Sequence, residues 1–161
     1  MLSRLLPHPA NVTPIAAIAL FGGAYFSNKR LAFTIPLVSL FLSDLVIGFH
    51  RQMGTVYFCF ILTVFLGQAL RSRKKIIPIA LASLTSSILF FAITNFGVWC
   101  WDGLYPNTFN GLCICYTAAI PFFRNTILGD LFYCVLLFGG FALAEIRLPH
   151  LREVKPSISI H

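Results

Sequence analysis

The sequence predicts an all-α integral membrane protein, a compact bundle of about six transmembrane helices with short loops. Three observations carry this expectation. Of 161 residues, 58% are hydrophobic and 11% are charged, and the mean hydropathy is +0.84. A water-soluble surface on a chain of this size needs far more charge, whereas lipid tolerates its absence. The apolar residues fall in long runs without the period-two alternation of barrel strands, so backbone groups in hydrocarbon are best satisfied within helices. The connections "SNKR", "HRQM" and "RSRKK" are brief, which makes neighbouring helices antiparallel hairpins.

Six apolar segments follow in order: 12–26, 31–49, 54–70, 76–99, 109–123 and 126–146. A spanning helix takes about 20 residues. The second, third, fourth and sixth segments meet that length. The first and fifth are short, so they are expected to tilt less, to be re-entrant, or to lie against other helices. The domain reading is an N-terminal segment 1–11, a single transmembrane domain 12–147 and a polar tail 148–161. "MLSRLLPHPANVTP" does not read as a secretory signal, because two prolines stand where an apolar run should be.

Six spans put both termini on one side. Apart from the tail, that side carries Arg4 and Arg51. The other side carries Lys29, Arg30, Arg71, Arg73, Lys74, Lys75 and Arg124. Cations are retained in the cytoplasm, which places "RSRKK" inside and "WCWDGLYPNT" outside. Arg147, Arg152 and Lys155 in the tail pull the other way.

The formal net charge of +7 is scattered over short loops, so no nucleic-acid partner is expected. The five cysteines lie mostly within apolar runs. Cys113 and Cys115, two apart on a helix, point to different faces. They read as buried structural thiols, with neither a metal site nor a disulfide implied. No cofactor is expected. No G-x-S-x-G, H-E-x-x-H or phosphate-loop motif is present, so no catalytic residues are assigned and no enzyme is expected. A membrane enzyme would have only His8, His50 and Asp44 to draw on.

Ionisable groups inside apolar segments are the sharpest signals, because each is costly unless paired or wet. Asp44 lies six residues before His50, about 9 Å below that helix end. Asp130 lies six residues after Arg124, at a similar expected depth from the opposite face. Asp44 shares its side with His8, Asn11, His50, Asn95, Trp99, Trp101, Asp102 and Tyr105. From these, Asp44, His50, Asn95, Trp99, Tyr105 and Asn11 form a candidate pocket for a small polar ligand with a flat ring. The alternative is an aromatic belt at the interface with ordinary interhelical hydrogen bonds.

Arg124 and Asn125 are expected to form the turn between the last two segments. With Asp130 they are read as a partner or structural contact: the turn either docks a partner or is a tight turn with a snorkelling arginine. Ala19, Gly23 and Ser27 fall four apart, a small-residue face for an internal neighbour or a partner helix. Ser83 and Ser87, with Thr94 further along, form a polar stripe facing the bundle.

The stretches "PHPANVTPIAAIALFGGAYF", "FLSDLVIGFH", "TNFGVW", "YPNT" and "AAIPFFRNTILGD" together resemble a family of small bacterial membrane proteins described as transport proteins without assigned activity. The likeness covers about residues 7–145. That family is similar, more loosely, to the substrate-binding S components of energy-coupling factor transporters. The resemblance implies a multi-pass protein of the bacterial inner membrane that captures a micronutrient or other small molecule. It also implies a coupling subunit and cytoplasmic ATPases as partners beside the lipid bilayer. The sequence departs from S components in its short first loop. The alternative function is a non-transporting membrane scaffold or assembly factor.

Overall fold

The computed structural model describes residues 13–148. Asn11 and His8 lie outside them. The described residues form five helices and no strand. They are α1 (Ile15–Tyr25), α2 (Lys29–Ile47), α3 (Met53–Ala69), α4 (Ile76–Trp101) and α5 (Phe109–Arg147). A π-helical stretch, Val135–Gly139, is inserted near the end of α5.

The expected six spans are therefore corrected to five helices. Segments 109–123 and 126–146 are one continuous helix, and Arg124 with Asn125 is not a turn. The reason lies in the local backbone. Pro121 removes one N–H but sits inside the helix without ending it. Thr117 and Thr126 bond back to carbonyls one turn earlier, on Cys113 and Phe122. The described glycines with positive φ, Gly48 and Gly103, mark reversals elsewhere, after α2 and after α4. With five helices, the two ends of the described chain lie at opposite ends of the bundle.

Helices α2, α4 and α5 are long and apolar enough to cross a membrane. Helix α1 has 11 residues, about 16 Å, and is not. It sits at the centre and touches all four other helices. Ile15 and Ala19 pack with Ala32, Leu40, Phe60 and Val64. Ala17, Leu20 and Ala24 pack with Leu70, Cys134 and Phe138. Small residues make this possible. A methyl on Gly23 would collide with Val64 O and lie 2.8 Å from Gln68 N, and one on Gly67 would collide with Leu20 O. The expected small-residue face of Ala19 and Gly23 is thus the α1–α3 crossing.

Each end of the bundle is fastened differently. At one end, Arg71 donates to the carbonyls of Gly23 and Phe26, capping α1, and Lys74 lies 4.1 Å from the Tyr25 ring centre. Asn28 accepts from Arg30 N to start α2. At the other end, Gln52 donates to Asp102 at 2.8 Å and accepts from Thr55 at 2.9 Å. Gly97 leaves the room Gln52 needs, since a methyl there would lie 2.6 Å from its Oε1. Thr108 starts α5 by accepting from Gly111 N.

Candidate functional site

A cavity of about 420 Å³ opens between the helices. Its rim comes from the helix ends nearest the Gln52–Asp102 corner: Thr13, Ile47 and His50, with Val56 just inside. Its walls are Ile15, Ala16, Leu40, Phe60 and Phe90. The Phe60 and Phe90 rings meet edge to face with centres 6.0 Å apart. Thr63, Ser86, Thr126 and Asp130 line the deep part. Thr63 is ten residues into α3, about 15 Å from its start.

The deep part is built by helical spacing. Thr126 and Asp130 are four apart on α5 and so share a face. Ser86 and Ser87 project from the middle of α4 toward α3 and α5 respectively. Ser87 Oγ donates to Asp130 Oδ2 at 2.7 Å. Thr63 Oγ1 donates to Cys59 O at 2.9 Å and lies 2.7 Å from Ser86 Oγ. A hydroxyl has one hydrogen; with that of Thr63 on Cys59 O, Ser86 donates to Thr63. Thr126 donates to Phe122 O at 3.0 Å. In that arrangement each of these hydroxyl hydrogens has an acceptor within the protein. What these cavity-lining residues then have left is acceptor capacity: lone pairs of Ser86 and Thr126, and the Asp130 carboxyl oxygen that Ser87 does not hold. Asp130 is 96% shielded from solvent, and among the described residues it makes no ion pair.

The candidate residues read from sequence do not gather in one pocket. His50 lines the rim of the main cavity. Asn95 lines a second, smaller one of about 310 Å³, and its amide donates to Phe91 O one turn back, at 2.8 Å. Asp44 is buried and accepts from Tyr57 at 3.0 Å, an α2–α3 tie. Trp99 donates to Pro106 O at 3.0 Å and meets the Phe96 ring at a tilt of 47°, so it pins the 102–108 loop. Tyr105, in that loop, is half-buried. Asp44, Trp99 and Tyr105 line neither of these cavities. Asp130, expected near the opposite face, lies instead in the deep part of the main cavity. Its expected depth assumed a turn at Arg124. Asn125 is half-buried and Arg124 exposed.

Thr63, Ser86 and Thr126 were not singled out from sequence. Isolated hydroxyls in apolar helices usually bond their own backbone, and two of these three do. The legible signal was Thr126 four residues before Asp130.

A family model matches residues 1–151, and it describes a family of unknown function, DUF6580. The chain belongs to that family. No curated protein and no solved structure matches the chain. Because DUF6580 has no assigned activity, the likeness to transport proteins and S components rests on the quoted motifs alone.

Proposed function

We propose that this DUF6580 chain is a multi-pass protein of the bacterial inner membrane that captures a small molecule in the cavity above Asp130. The lipid setting is supported by the apolar surfaces: Leu45, Val46, Phe58, Phe65, Leu128 and Phe132 are each more than half exposed, which water would disfavour. Seven described cations (Lys29, Arg30, Arg71, Arg73, Lys74, Lys75, Arg147) cluster at one end of the bundle, and Arg51 alone lies at the other. Cations held inside would turn the cavity mouth outward, the direction an importer's capture site needs.

One observation carries the choice of ligand: the inner wall offers acceptors and a carboxyl oxygen, with its hydroxyl hydrogens already spent. Apolar walls with an acceptor-rich floor suit a small, largely apolar molecule that presents N–H donors, best of all a protonated amine. The volume is within the usual range for small-molecule sites. A coupling subunit and cytoplasmic ATPases follow from the resemblance alone. In the scaffold alternative, the same polar groups would only join helices, and the cavity would bind nothing.

A thermal-shift series on the detergent-purified chain tests the reading. Arylalkylamines are compared with alcohols of the same shape. The amines should raise the melting temperature more than the alcohols, and Asp130→Asn should erase the difference. No shift with any compound would support the scaffold reading. Equal shifts that survive Asp130→Asn would refute the assigned ligand chemistry.

A further inference from the structure

Arg124 is used by neither the cavity nor the bundle. The Phe123 ring lies 4.5 Å from the Phe91 ring, so Arg124 is level with the middle of α4. Phe91 is ten residues from Trp101 and fifteen from Ile76, about 15 Å and 22 Å from the two helix ends. In the membrane placement proposed above, on which this inference rests, that is near the mid-plane. Arg124 is exposed, with Ile120 49%, Phe122 50% and Leu128 67% exposed around it. Among the described residues it makes no ion pair. Head-group phosphates lie farther away than an extended arginine side chain can reach. A bare cation at this depth needs an anion brought to it.

The same face of α5 is shaped for a helix. Cys113, Thr117 and Arg124 are spaced four and seven apart, so they align, and all are exposed. Cys113, Ile114, Thr117 and Ala118 line a shallow groove of about 360 Å³, and mostly small side chains there permit close approach of another backbone. We propose that this face docks a transmembrane helix of a different protein, one that carries an Asp or Glu opposite Arg124. A second copy of this chain does not supply that anion from its described residues. Asp44 and Asp130 are buried, Asp102 is held by Gln52 at one end, and Glu145 lies at the other end of α5.

The test places the photocrosslinker benzoylphenylalanine at Thr117 in the full chain, in membranes of its own cells, with a control probe at Val46 on α2. The expected product is an adduct specific to Thr117, whose crosslinked peptide is an apolar helix containing Asp or Glu. Arg124→Gln should reduce it at least fivefold and Arg124→Lys should retain it. Amine binding by purified Arg124→Gln should be unchanged, which separates failure of this surface from failure of the cavity reading. An adduct of two copies, adducts with lipid alone, no adduct, or one indifferent to Arg124→Gln would each overturn the proposal. So would loss of a monodisperse Arg124→Gln protein, which would make Arg124 part of the chain's own packing.

Discussion

Asp130 and Asp44 are both buried carboxyls within apolar helices, yet their surroundings assign them different work. Asp130 lines the main cavity and holds Ser87 with one of its oxygens. Asp44 meets Tyr57 and lines neither described cavity. Replacing Asp130 with Asn preserves shape and removes the charge. It should weaken amine binding by about 1.5–3 kcal/mol, the scale of hydrogen bonds to charged groups, while leaving a neutral alcohol nearly unaffected; equilibrium titration reads this directly. Asp44→Ala should do the reverse. It should lower stability by about 1–3 kcal/mol by leaving the Tyr57 hydroxyl without that acceptor, and it should not change ligand affinity; a melting curve and the same titration check both. That both aspartates need a partner was legible from sequence, because a carboxyl in an apolar run is expensive. Their division of labour was not, since it depends on which helix faces which.

Among the helices, the α1–α3 crossing is held by close contact of backbones. Gly23→Ala should cost several degrees of melting temperature or prevent assembly, because the nearest atoms are backbone and cannot swing aside. Gly139→Ala should be neutral or slightly stabilising, since nothing lies within 4 Å of the added methyl and alanine favours helix by about 0.5–1 kcal/mol. Melting measured by size-exclusion chromatography after heating distinguishes the two. The first four helices were readable to within about three residues from apolar runs and their charged ends. The fifth was not. "PFFRNT" combines the usual marks of a helix break, a proline and polar residues, but lacks a residue in the left-handed conformation that Gly48 and Gly103 adopt. Trp99 misled in another way: its indole N–H looks available for a ligand until Pro106 is seen to accept it.

At the scale of the whole molecule, an odd number of helices among the described residues changes the topology. Arg147, which opposed the sequence-based orientation, now joins the cation-rich end. In a cysteine-free background, Leu104→Cys should react with a membrane-impermeant maleimide in intact cells. Ser72→Cys and Leu148→Cys should react only after permeabilisation. Labelling of Leu148→Cys in intact cells would restore the six-span arrangement. The central claim, capture of a small amine-bearing molecule, is tested most directly by native mass spectrometry of the chain extracted from its own membranes in mild detergent, alongside Ser86→Phe, which fills the deep cavity. The expected result is a small bound mass that carries an amine and is absent from the folded variant. A bare chain, or the same adduct on both proteins, would contradict the claim.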